Sequence, residues 1–165
     1  MRKLLFFLVV TAALCVPAVS VAGTPTPGQL ATQTCKQIRS ANKALFRQTY
    51  HNFAGCLKGQ KSNAKQDLTN AAHTCKAERT ADPAAFRAKY GTNGGNAKGA
   101  GANAFGKCVS VNAKLNAQTN AANTIAAAKT CRAIKADLAT FQAAYGTGKN
   151  AFGKCVAAQA KATTP

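Results

Sequence analysis

The sequence predicts an all-α protein of three disulfide-closed helical repeats joined by long helices. Three observations carry this expectation. The chain is rich in alanine and poor in β-branched and aromatic residues. One cysteine-bearing segment is written three times. The cysteines that recur with it form an even set.

The chain opens with Arg2 and Lys3, then an apolar run from Leu4 to Val16, then Pro17 and small residues. Ser20-Val21-Ala22 fits the small-x-small cleavage rule. Residues 1–22 therefore read as a secretory signal peptide cut before Gly23. The apolar run is too short for a membrane anchor and no stop-transfer charges follow it. Cys15 would leave with the signal, and Leu14 before it does not suit lipoprotein processing. No other stretch is apolar enough to span a membrane. The expected location is extracellular or at the cell envelope.

About 143 residues would remain after cleavage, enough for one modest domain. They carry six cysteines: Cys35, Cys56, Cys75, Cys108, Cys131 and Cys155. In an exported chain an even count reads as disulfides. Large apolar side chains are scarce, so cross-links would supplement a small core.

Residues 23–33 are expected to form a short flexible lead-in. Repeat one then spans 34–71, repeat two 72–127, and repeat three 128–160, with 161–165 as a tail. In each repeat a Thr precedes the first cysteine, at Cys35, Cys75 and Cys131. An aromatic pair at i,i+4 follows: Phe46/Tyr50, Phe86/Tyr90 and Phe141/Tyr145. A Phe three residues before the second cysteine closes the pattern: Phe53/Cys56, Phe105/Cys108 and Phe152/Cys155. With Phe6 and Phe7 in the signal peptide, no aromatic residue is left over. The length between aromatic pair and Phe-x-x-Cys varies, which marks a surface loop. In repeat two this loop, 91–102, is Gly/Asn-rich and expected to be mobile.

Local signals place the helices. Asp82-Pro83 is an N-cap followed by proline at the first helical position, and Gly91 stops that helix. The residue before a proline leaves the α region, so a preceding helix must break near Thr80 or Ala81. Asp137 to Gly146 repeats the arrangement without the proline. Asn103 and Asn150 are expected to cap the helices that carry Phe105 and Phe152. From Cys108 to about Ala136 nothing interrupts a helical stripe of Val111, Leu115, Ala122, Ile125, Ala128, Cys131 and Ile134. A second long helix is expected from roughly Ala54 to Arg79, weakened at its start by Gly55 and Gly59.

These helices constrain the cysteine pairing, which has fifteen possible connectivities. Cys56 and Cys75 would share one helix, as would Cys108 and Cys131. At about 1.5 Å per residue they lie about 28 Å or more apart. A disulfide needs Cα atoms within about 7 Å. If the helices are continuous, pairing within each repeat remains: Cys35–Cys56, Cys75–Cys108 and Cys131–Cys155. Each bridge would close a unit around two Phe and one Tyr.

The core "TCKxER…DPAAFxxKYGT…NAFGKCVS" resembles a repeat of uncharacterised exported proteins of actinobacteria. The resemblance covers repeats two and three closely and repeat one loosely. It implies no activity and brings no functional residues. Repeat one lacks the Asp-Pro, the Gly stop and the Gly-Lys before its second cysteine.

The chain offers little for catalysis. Its four acidic residues are Asp67, Glu78, Asp82 and Asp137, two of them expected as caps. Asp67 and Glu78, eleven apart on one helix, would be about 16 Å from each other. A glycosidase pair needs about 5–10 Å. His51 and His73 have no matching partner, and no Cys-x-x-Cys zinc spacing occurs. A Cys-His nucleophile needs a free thiol, against the even cysteine count. The glycines of the 91–102 loop lack a phosphate-loop ending. The expectation is a non-enzymatic protein without cofactor or metal.

Charge is the remaining signal. Removing the signal peptide takes two of 22 basic residues and none of the four acidic ones, leaving 20 − 4 = +16. Such a charge attracts polyanions: cell-wall polymer, acidic polysaccharide, nucleic acid without sequence preference, or anionic lipid headgroups. Lys36, Arg39 and Lys43, then Lys76 and Arg79, then Arg132 and Lys135 follow the three first cysteines. At i,i+3 they share a helix face. A thrice-repeated basic face would engage a repetitive polyanion by multivalency. Competing readings are a structural or protein-interaction repeat array, for which these are solvated helix faces, and a membrane-active basic protein.

Overall fold

The computed structural model describes residues 23–91 and 103–162. Residues 1–22, expected as a signal peptide, residues 92–102, expected as part of a mobile loop, and residues 163–165 lie outside this description. Among the described residues there are seven helices and no strand. They are α1 (Pro27–Ala41), α2 (Lys43–Tyr50), α3 (Phe53–Ala81), α4 (Pro83–Tyr90), α5 (Ala104–Ile134), α6 (Leu138–Tyr145) and α7 (Ala151–Ala162). No helix among them is long and apolar enough to cross a membrane.

Capping chemistry sets most of the boundaries. Thr26 and Gln29 form a reciprocal capping box at α1, with Pro27 at the first helical position. Asn42, Asn52, Asp82 and Asp137 each accept from a backbone N–H in the first turn of α2, α3, α4 and α6. The break between α3 and α4 falls at Asp82, whose backbone is extended as a pre-proline residue requires. Gly146 ends α6 with φ +85°, a left-handed conformation that glycine adopts without Cβ strain.

The three disulfides join Cys35 to Cys56, Cys75 to Cys108 and Cys131 to Cys155. Each ties the end of one long helix to the start of the next, and each sits beside its own two Phe and one Tyr. The short helices α2, α4 and α6 carry the Phe/Tyr pairs, whose ring centroids are 5.6, 5.0 and 5.3 Å apart.

The bridges also fix direction. Cys75 meets Cys108, and Asp67 meets Asn120, so α3 and α5 run antiparallel. Cys56 and Cys75 are about 28 Å apart along α3. Unit two, closed by Cys75–Cys108, therefore lies at one end of the bundle. Units one and three lie together at the other, where α2 packs against α7. Gly153 marks that packing: a Cβ there would sit 3.0 Å from the Thr49 carbonyl oxygen. Between the ends, α1, α3 and α5 meet through small residues, among them Ala31, Ala64, Ala71, Ala113 and Ala117.

Three expectations are corrected. Residues 23–33 are not a flexible lead-in: α1 begins at Pro27, and Leu30 and Ala31 are buried in the core. The Thr26-Pro27-x-Gln29 capping box is the signal that dictates this start. On α5, Val111 and Leu115 are 49 % and 53 % exposed. The buried stripe is Val109, Ala113, Ala117, Ala121, Thr124, Ala128 and Cys131. Cys108 and Cys131 set the helix phase, and the neighbouring helices accept alanine where larger side chains would not fit. Finally, Asn103 makes no side-chain cap bond, because its backbone (φ −108°, ψ 6°) is not in the extended conformation that aims a cap at the first turn.

Candidate anion-binding surface

The predicted cations Lys36, Arg39, Lys43, Lys76, Arg79, Arg132 and Lys135 are all exposed. The structure groups them by unit. In unit one, Lys36, Arg39 and Lys43 line one concavity of about 380 Å³ with Ser40 and Phe53. They converge because Lys36 and Arg39 share a face of α1, and the Asn42 cap turns the chain so that Lys43 opens α2 beside them. Units two and three use the position four residues after the first cysteine. The Arg79 guanidinium lies 4.9 Å from the centroid of the Phe105 ring. The Lys135 ammonium lies 6.0 Å from that of Phe152. In units two and three the Phe-x-x-Cys phenylalanine thus lies beside the cation at that position, and in unit one Arg39 and Phe53 line the same concavity. A ring face attracts a cation without neutralising it, so its charge remains available to an anion.

Lys76/Arg79 stand at the unit-two end, and the other two groups stand at the opposite end. The three basic faces are therefore not one patch; they lie at both ends of a rod-like bundle core. Spacing along the sequence did not reveal this, because it depends on the antiparallel return of α5 along α3.

The acidic side chains are engaged elsewhere. Asp82 accepts from the N–H groups of Ala84 and Ala85, and Asp137 from the N–H and hydroxyl of Thr140. The Thr140 bonds hold the Asp137 carboxyl below its ordinary range. Glu78 accepts from Lys89 Nζ at 2.7 Å and from the Tyr90 hydroxyl at 3.1 Å. The Lys89 bond lowers the Glu78 pKa, and the same bond raises the Lys89 ammonium to about 12. This pair is the one salt bridge among the described residues.

Asp67 is different, and its immediate neighbours in the sequence do not mark it. It is 4 % exposed. Asn120 Nδ2 donates to its Oδ1 at 2.6 Å, and Asn116 Nδ2 donates to its backbone carbonyl at 3.2 Å. Burial pushes the Asp67 carboxyl up to about 6, only partly offset by the Asn120 bond. Gln60 forms a second polar step on α3, donating to the Tyr50 hydroxyl at 2.7 Å. These bonds fix the register of α3 against its neighbours, where alanine contacts alone would specify it weakly. The signal for Asp67 was present but diffuse: Asn116 and Asn120 sit one turn apart on an otherwise alanine-rich helix.

Among the described residues, no three of His, Cys, Asp and Glu are grouped so as to hold a metal ion. No family model, curated protein or solved structure matches this chain.

Proposed function

We propose that the protein is an exported, non-enzymatic binder of anionic polymers of the cell envelope or its surroundings. One observation carries the reading. The seven candidate cations are exposed, and the only salt bridge among the described residues takes Lys89, which is not one of them. A surface with this much uncompensated positive charge has its counter-charge to find outside the chain. The signal-peptide pattern and three disulfides support an oxidising, exported setting. The engagement of all four acidic residues in caps, an ion pair or a buried hydrogen bond supports a binding role over acid–base catalysis. Basic faces at both ends of the bundle favour a long, repetitive ligand, which two ends engage together.

The test is retention of the purified mature protein on heparin, DNA and cell-wall columns. Strong retention at low salt should fall steeply between about 50 and 200 mM salt, because added salt makes the release of counterions from the polymer less favourable. Absence of retention at low salt refutes the proposal.

A second reading, a protein-interaction array, draws on Val111 and Leu115, exposed and one turn apart on α5. Partner binding through that face would persist at high salt and be lost in Leu115→Glu.

A further inference from the structure

Units one and three enclose a concavity of about 420 Å³ at their shared end of the bundle. Phe141 and Phe152 border it, but both side chains are buried, 3 % and 4 % exposed. Its walls carry four basic side chains drawn from three places in the sequence: Arg47 and His51 from the end of α2, Lys135 from the end of α5, and Lys149 from the loop before α7. No acidic residue lines it. Ala151 and Phe152 of the first turn of α7 belong to the wall, so the positive end of that 12-residue helix adds to the field.

His51 stands at the rim of the concavity. Its backbone has φ 64° and ψ −48°, a conformation L residues rarely adopt. The corresponding position ends α4 and α6 with Gly91 and Gly146.

We infer that this concavity is a specific site for a small phosphate ester, the phosphoryl group held by Arg47, His51, Lys135 and Lys149. The guanidinium fork of Arg47 suits a phosphoryl group, which accepts two parallel N–H bonds. Several cations with no acid among them favour a dianion over a single carboxylate. The inference rests on the polyanion reading above and sharpens it: one of the basic regions is a pocket, not an open face. Lys135 was expected as part of a helix face, whereas Arg47, His51 and Lys149 join it only because units one and three pack together.

Isothermal titration of fructose 1,6-bisphosphate into the mature protein tests it. Saturable one-to-one binding is expected. The exposed-residue variant Arg47→Ala/Lys149→Ala should weaken it at least tenfold. Lys61→Ala/Lys65→Ala, which removes the same charge from α3, should change it less than twofold. Three results overturn the site: no saturable binding, equal loss in both variants, or unchanged binding in the pocket variant. Heparin retention of the unaltered protein keeps the two proposals apart. Retention without bisphosphate binding sinks the pocket alone; loss of retention sinks the wider reading. If the site holds, displacement of heparin by the bisphosphate assigns it to a polymer end, and failure to displace assigns it to a free phosphate ester.

Discussion

Replacing Asp67 by asparagine should stabilise the protein at neutral pH and leave it unchanged in acid. Asp67 is buried between α3 and α5 with one amide, Asn120, on its Oδ1. Its carboxyl is displaced from an ordinary 3.8 to about 6, chiefly by burial. The folded state thus binds this proton more tightly than the unfolded chain does, by up to about 3 kcal/mol. Solvent screening reduces the measurable part to about 1–2 kcal/mol. The raised value fixes the sign: the contribution is fully present below about pH 4, declines as pH rises through about 6, and is absent at 7.5. Asp67→Asn holds the neutral state at every pH and keeps an oxygen to accept from Asn120. At pH 7.5 it should unfold about 3–7 °C higher than the unaltered protein, using the usual entropy of a domain this size. Glu78 and Asp137, whose carboxyls lie below their ordinary range, lose stability as pH falls. They are common to both proteins and cancel in the difference. The assay is thermal unfolding of the pair from pH 3.5 to 7.5. A difference that stays constant across that range, or a variant no more stable at pH 7.5, refutes the argument.

Removing the Cys75–Cys108 bridge by serine substitution at both positions should cost about 3–4 kcal/mol in denaturant unfolding, since it closes a 33-residue separation. A non-reducing peptide map should show only the three within-unit bridges, and a Cys56–Cys75 peptide would contradict the continuous α3. Gly55→Ala places a Cβ 2.4 Å from the Tyr50 carbonyl oxygen, which the Asn52 N–H already holds at 2.7 Å. The turn between α2 and α3 must shift, at about 1–3 kcal/mol, read as a lower melting temperature. His51→Gly relieves a strained backbone worth about 1–3 kcal/mol against glycine's entropic cost of about 0.5–1 kcal/mol. It should melt a few degrees higher and bind fructose 1,6-bisphosphate more weakly; a lower melting temperature would show that the His51 conformation is not strained.

The long helices, their breaks and the disulfide pairing were legible because each rests on local chemistry. Asp82-Pro83 forces a break whatever surrounds it. Helix rise alone separates Cys56 from Cys75 and Cys108 from Cys131. The candidate cations were legible as exposed residues for the same reason: their spacing after each first cysteine is a property of one helix. The phase of α5 was not legible. Val111 and Leu115 are the larger apolar residues, yet Ala113 and Ala117 are buried in their place, and only the fit between neighbouring helices chooses between those stripes.

By itself, then, the sequence determined the all-α class, the three bridges, the caps at Asp82 and Asp137 and a strongly positive net charge. All of these follow from interactions between residues close in sequence, or from the reach of a rigid helix. The tertiary structure decided which end of the bundle each basic face occupies and which alanines make the core. It buried Asp67 against Asn120, and it brought Arg47, His51, Lys135 and Lys149 to one concavity. Those outcomes depend on how α5 returns along α3 and how α7 seats against α2. Such long-range packing is fixed by shape and by the burial of small side chains, which carry almost no local signature.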